Sequence, residues 1–376
     1  MRRLLLGLAL IFLVLTTTWN LYVNSQETPG QQVKPKQESD KNSESTPQIR
    51  ESIERGIKWI VKNQNAGKAE LDGSFGCEKG EKPSVALTSL AILVLLADSN
   101  TPERGRYKDV IQKGIKWIST QAINKKGFNA ASDSSMLGAV FEHASATLMW
   151  ATIYGLMENE KKSDINNFIP KETVKINLDK CIAILQELQN TSDGWAKEAA
   201  KGYWADNVVT TVAYLGLATG YHLGRSKNDK ANRDLCLEIT KSRCTGENQG
   251  YSGITILNES TYLRIAYGMD KIDEKVLQTT KLMTSQKFNS TGNVTEWDYM
   301  GSWMSTGAMF IASDRRPELT ASYNKWYNYS SDFLMKLQKK EGYWVIEDCI
   351  DCKMLATTLA LLSMLTPTKI LPYQYY

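Results

Sequence analysis

The chain of 376 residues holds only two histidines, His143 and His222. They stand far apart and supply no metal-ligand pattern. Its six cysteines are Cys77, Cys181, Cys236, Cys244, Cys349 and Cys352. Cys349-x-x-Cys352 lacks the second cysteine pair that would complete a zinc site. No metal and no cofactor is expected from these residues. A large excess of charge of one sign is also lacking, with 45 Lys and Arg against 41 Asp and Glu. The net charge is +4, with Lys and Arg dispersed. No basic stripe carries aromatic residues at intervals, which excludes a nucleic-acid surface. Residues 26–48 have almost nothing apolar and consist largely of Gln, Glu, Lys, Ser and Pro. Such a segment cannot bury enough surface to fold and reads as a disordered polar linker.

Apolar residues are concentrated elsewhere. Arg2 and Arg3 precede an apolar run over residues 4–15. This is the layout of an export signal. A run of about twelve residues is short of the roughly 20 that a membrane span needs. Counted on to Val23, it becomes long enough for a single anchor. Residues 1–25 are therefore expected to be a cleaved signal peptide or a retained single-pass membrane anchor over residues 4–23. Either places the protein in the periplasm or on the cell surface. An exported chain can oxidise its cysteines. Cys349 and Cys352 are close enough to pair, whereas Cys236 and Cys244 sit two turns apart on one expected helix and are not. Disulfide, thiol and metal readings of Cys349 and Cys352 stay open.

The remainder, residues 49–376, is built from repeats. The segment Val85–Ala97 (VALTSLAILVLLA) returns, altered, at 354–366 (MLATTLALLSMLT) and stands between them at 210–220 (TTVAYLGLATG). The segment GIKWI occurs at both 56–60 and 114–118. Such recurrence signals stacked supersecondary units. Each unit reads as an outer helix often ending in Gln, a Gly-rich turn and an apolar inner helix. In the first unit Ile53, Ile57, Ile60 and Val61 share a helical face, Asp72-Gly73-Ser74-Phe75-Gly76 breaks the chain, and Pro83 and Ser84 start the next helix. Outer helices are expected near 173–189, 229–241, 272–286 and 324–338. Inner helices are expected over 142–157, 206–219, from Glu259, over 302–312 and over 353–365. Helices that are apolar nearly all round must be covered on every side. Six hairpins with the inner helices ringed by the outer ones satisfy this: an all-α fold, an (α/α)6 toroid. An open superhelical stack is the alternative.

Three turns carry a recognisable signature. They are Leu188-Gln189 with Asp193-Gly194-Trp195, Leu337-Gln338 with Gly342-Tyr343-Trp344, and the weaker Asp72-Gly73-Ser74-Phe75-Gly76. With the Ala- and Leu-rich helices that follow, they resemble the prenyltransferase and squalene-oxidase repeat of terpenoid-cyclase-like α/α toroids. The segment from Trp297 and Tyr299 through Thr306-Gly307-Ala308-Met309-Phe310 to Trp326 is similar to the exported, single-toroid bacterial branch of that family, whose members mostly have no assigned reaction. The resemblance covers residues 50–366 and implies a toroid with a central cavity. The family's acid motif Asp-x-Asp-Asp and its diphosphate-ionising Asp-Asp-x-x-Asp are both absent. So are the Val-Ser-Asp-Cys-Thr-like string and the Asp, Cys and His zinc ligands of the prenyltransferase β subunits.

In such a toroid the inner-helix N-termini ring one mouth of the cavity, where free N–H groups favour anions. The polar and aromatic residues expected there are Glu142 and His143, Trp204, Asp206 and Asn207, Glu259 and Tyr262, Asp298 and Tyr299, and Trp303. Glu142 or Asp206, if desolvated, would be a general acid, with His143 orienting it or relaying a proton. Trp204, Asn207, Glu259, Tyr262, Asp298, Tyr299 and Trp303 would contact a ligand. The plainer reading makes the acids and Asn207 ordinary helix caps.

The resulting expectation is an exported toroid that binds an unidentified ligand or protein in its cavity or at its rim. One alternative is a cavity enzyme acting on an isoprenoid or lipid-like substrate by acid catalysis. A second is a glycan-active hydrolase using two rim carboxylates.

Overall fold

The structure, a computed structural model, describes residues 46–67, 70–77, 83–121, 123–124, 127–128, 138–159, 168–189, 194–195, 207–224, 241, 253–285, 287–288, 294–346 and 352–371. All of them belong to one unit, Asp40–Tyr376. The fold is all-α, with eleven α-helices among the described residues. They are α1 (Pro47–Lys62), α2 (Val85–Ala97), α3 (Lys108–Thr120), α4 (Gly138–Asn159), α5 (Lys171–Glu187) and α6 (Asn207–His222). Then follow α7 (Gly253–Gly268), α8 (Glu274–Met283), α9 (Glu296–Arg315), α10 (Thr320–Leu337) and α11 (Lys353–Met364). Two short strands, Ile123–Asn124 and Gly127–Phe128, pair antiparallel between α3 and α4.

Two helix types alternate over much of the chain. In α1 the buried Ile49, Ile53, Ile57 and Ile60 fall on one stripe, and the opposite face is charged. Thr46 caps it by accepting the Ile49 N–H, and Pro47 stands at N1. In α2 no polar face exists: every residue from Val85 to Ala97 is at most 2 % exposed. Ser84 starts it by accepting the Leu87 N–H at 3.1 Å. It ends where Ser99 turns left-handed (φ 62°) and the Asn100 N–H reaches back to the Leu95 carbonyl. Each fully buried Leu or Ile contributes about 1.5–3 kcal/mol.

The buried helices touch one another in chain order. Helix α2 packs on α4, α4 on α6, α6 on α7, α7 on α9 and α9 on α11, and α11 returns to α2. The amphipathic helices flank them. Helix α1 lies against α2 and α11, α3 against α2, and α5 against α4 and α6. Helix α8 lies against α7, and α10 against α9, α11 and α1.

One set of polar contacts joins successive hairpins. The Gln64 amide, just past α1, donates to the Gly73 carbonyl of its own turn and to the Val110 carbonyl of α3, both at 2.9 Å. The Gln338 amide, just past α10, donates to the Gly342 carbonyl of its turn and to the Ser52 carbonyl of α1, again at 2.9 Å. Its oxygen accepts from the Ser52 hydroxyl and the Arg55 guanidinium. Gly73 and Gly342 both have positive φ, 94° and 101°. A Cβ on either would come within 2.4 Å of a backbone oxygen of the next outer helix, Lys113 O or Arg55 O. The last hairpin thus grips the first as the first grips the second.

The turn tryptophans belong to the same device. Trp195 and Trp344 are fully buried. Their indoles donate to the Leu185 and Leu334 carbonyls, each at 2.7 Å. Their backbone N–H groups donate to the Thr210 and Thr357 hydroxyls, each at 3.1 Å. Phe75 repeats the second contact with Thr88.

Several expectations are corrected. The transmembrane helix and the membrane anchorage are not carried further: among the described residues no helix is long and apolar enough to cross a membrane. Residues 4–23, on which the anchor was placed, and the linker over 26–48 lie largely or wholly outside the described residues, and the export and cell-surface expectation built on them gains no support. Helix α7 begins at Gly253, six residues before Glu259, and α9 begins at Glu296 rather than near Ser302. Glu259 was taken for a first-turn acid, but it lies mid-helix. The expected outer helix over 229–241 lies outside the described residues apart from Lys241.

Gly342→Ala is expected to destabilise the protein by at least about 2 kcal/mol, combining left-handed strain with collision against the Arg55 carbonyl. Gln338→Ala is expected to cost about 2–3 kcal/mol through the carbonyls and hydroxyl it leaves without partners. Urea unfolding of the two variants checks both, and a loss below 0.5 kcal/mol would remove this joint from the account.

Candidate functional site

Glu142 sits in the first turns of α4 and is buried. Its carboxylate faces the start of α2. One oxygen accepts from the Ser84 hydroxyl at 2.7 Å and the other from the Ala86 N–H at 2.6 Å. Those donors belong to the positive pole of α2, so a carboxylate from one buried helix caps the next. The next residue, His143, points elsewhere, because successive helical residues are turned by about 100°. Its Nε2 lies 2.9 Å from the Cys181 carbonyl on α5. A carbonyl only accepts, so Nε2 carries the proton. Desolvation pushes the His143 pKa down to about 4, the Cys181 contact opposing it, so the ring is neutral at pH 7. Glu142 and His143 therefore engage α2 and α5 respectively.

The other expected residues divide by helix. Glu259 and Tyr262 are buried on α7. The Tyr262 hydroxyl donates to Asp273 at 3.4 Å. Asp273 caps α8 by accepting the Val276 N–H and pairs with Lys241, and both hold its carboxyl below the usual range. Asp298 lies in the first turn of α9 and accepts from the Thr295 N–H at 2.9 Å and the Thr295 hydroxyl at 3.0 Å. Burial raises its carboxyl pKa, and those two bonds oppose the rise. Gly253 packs directly on the Trp297–Asp298 backbone, which brings the starts of α7 and α9 together. Tyr299 donates from its hydroxyl to the Val345 carbonyl at 2.8 Å, and Trp303 is buried in the middle of α9. Trp204 and Asp206 lie outside the described residues. Asn207 is the first residue of α6, and its side chain is not described.

Among the described residues, two of the buried helices are covered along most of their length. Residues 299–312 of α9 are buried, as are all but the first residue of α11. A cleft of about 340 Å³ opens between outer helices α3 and α5, lined by Ile118, Gln121, Trp150, Asn177, Lys180 and Ile184 among others. None of its described lining residues is a carboxylate, histidine or cysteine. Among the described residues no three His, Cys, Asp or Glu side chains gather to hold a metal ion.

Sequence reasoning singled out Glu142 and His143 but not their partners. Ser84 was readable as a cap of its own helix, whereas its bond to Glu142 depends on which helix lies alongside. No protein-family model matches the chain. No curated protein matches it either.

Two outcomes are expected. Glu142→Ala strands the Ser84 hydroxyl and the Ala86 N–H and should cost about 2–3 kcal/mol, whereas Glu142→Gln, which keeps one acceptor, should cost less. Chemical denaturation of both variants distinguishes them. His143 is neutral when folded and takes a proton near 6.5 when unfolded. The unfolded chain thus binds more protons between pH 6.5 and about 4, so stability falls as pH drops through that window, by up to about 3 kcal/mol. His143→Gln should flatten this part of the pH–stability profile, and an unchanged slope would refute the assignment.

Proposed function

We propose that the hairpins close into an (α/α)6 toroid and that this toroid serves as an interaction domain, working through its surface and rim rather than by chemistry in its interior. Closure is supported by the return of α11 to α2 and by the Gln338 contacts with α1, which repeat those of Gln64 with α3. The turns built on Gly73, Gly194 and Gly342 support the likeness to the prenyltransferase and squalene-oxidase repeat. That likeness carries fold, and fold alone does not assign a reaction.

The observation that carries the functional reading is the burial of α2 on all sides. A residue lining a cavity open to a water-sized molecule retains accessible surface there, yet no residue of α2 exceeds 2 %. A cyclase or prenyltransferase needs space for an isoprenoid chain against such helices. No residue of α2 offers surface to such a space. Glu142, the leading acid on sequence grounds, is engaged by two donors of α2. His143 is held neutral against α5. Both have structural polar partners within the fold, two α2 donors for Glu142 and the Cys181 carbonyl for His143.

The test is incubation of the full chain with squalene and, separately, with farnesyl diphosphate. The melting temperature is expected to move by less than 1 °C, with no product formed. Occupation of an interior site at a hundred times its dissociation constant would raise it by about 3 °C or more. Such a shift, if saturable, or any turnover, overturns the reading in favour of a cavity enzyme.

A further inference from the structure

The two ends of the folded unit meet at a pair of sulfurs. Cys77 lies in the connection between α1 and α2, and Cys352 is the N-cap residue of α11. They are 275 positions apart, yet their Sγ atoms lie 2.7 Å from each other. The helices flanking Cys77 are in contact with the helix that Cys352 starts, since α11 packs on both α1 and α2. We propose that Cys77 and Cys352 are a redox-active pair whose disulfide covalently joins the last hairpin to the first.

The contact leaves only a sub-ångström approach to the bonded separation of about 2.05 Å. One sulfur is fixed at the N-cap of α11 and the other stands in the connection between two helices on which α11 packs. Cys77 is half-buried and Cys352 is buried, which separates their roles. An incoming disulfide donor, such as oxidised glutathione, meets Cys77 first. The Cys77 thiolate attacks one donor sulfur, forming a mixed disulfide and releasing one donor thiolate. The Cys352 thiolate then attacks the Cys77 sulfur and expels the second donor thiolate. Two protein thiols are oxidised to one disulfide, one donor disulfide is reduced to two thiols, and the two protons pass to the departing thiolates. At the start of α11 the free N–H groups of the first turn favour the negatively charged sulfur that the second step needs.

A bond closing so long a loop restricts the unfolded chain strongly. The sequence alone suggested a different partner, Cys349, because three residues of separation are visible in a sequence and a contact across 275 positions is not. The inference is independent of the functional reading above.

The experiment uses the full chain, reduced, freed of reductant and exposed to oxidised glutathione. Peptide mapping by mass spectrometry without reduction is expected to yield a Cys77–Cys352 linked pair. Two thiols per chain should be lost, with no glutathione retained. The melting temperature should rise by roughly 5 °C or more and return when a reductant is added. Cys349→Ser should preserve this behaviour, and Cys77→Ser should abolish it. A Cys349–Cys352 linked peptide, two thiols that stay unreacted or merely glutathionylated, or one zinc ion per chain retained by them would overturn the proposal. The mapping is done on the unsubstituted chain, so it decides the matter even if a serine variant fails to fold.

Discussion

The structure depends on a carbonyl at the flank of two outer helices, α3 and α1, being met by the amide of the neighbouring hairpin. Gln64 and Gln338 each span two elements, a turn they terminate and a helix they do not belong to. The bond is possible only because Gly73 and Gly342 let the turn backbone lie directly on that helix. A side chain at either glycine would push the turn away and carry the glutamine out of reach. The buried helices are then held at a fixed spacing without a polar face of their own.

That arrangement explains why the interior is so uniformly apolar and yet contains hydroxyls. Ser302 bonds Ser330 and Ser363, Thr306 also bonds Ser363, and Ser305 accepts from the Trp326 indole. These groups sit between α9, α10 and α11 and satisfy one another, which removes the penalty of burying them. Glu142 follows the same logic with a full charge, which costs far more to bury alone and is answered by two donors at the pole of α2. These polar residues of the core are thus explained by neighbours that the fold supplies.

Legibility from sequence tracked how local each cause is. Helix α2 could be bounded at Val85 and Ala97 because Pro83, Ser84 and the apolar run are contiguous. The turns at Gly73, Gly194 and Gly342 could be read because a glycine between a glutamine and an aromatic residue is a compact pattern. The start of α9 was misplaced because Thr295 and Asp298 act as a pair across one turn, and that pair was not recognised. The start of α7 was misplaced because Gly253 serves a close approach to α9, a fact about another helix. The partners of Glu142, His143 and Cys352 were out of reach for the same reason, since each lies on a different hairpin.

The joint between α10 and α1 has a consequence for how the polypeptide is threaded. It uses the same atoms as the joint between α1 and α3, although one is crossed by continuous chain and the other is not. Whether chain continuity crosses a joint is therefore incidental to the contacts that hold these helices together. A folded unit of residues 46–371 with α11 linked to α1 and cut at a different connection is expected to keep both glutamine joints.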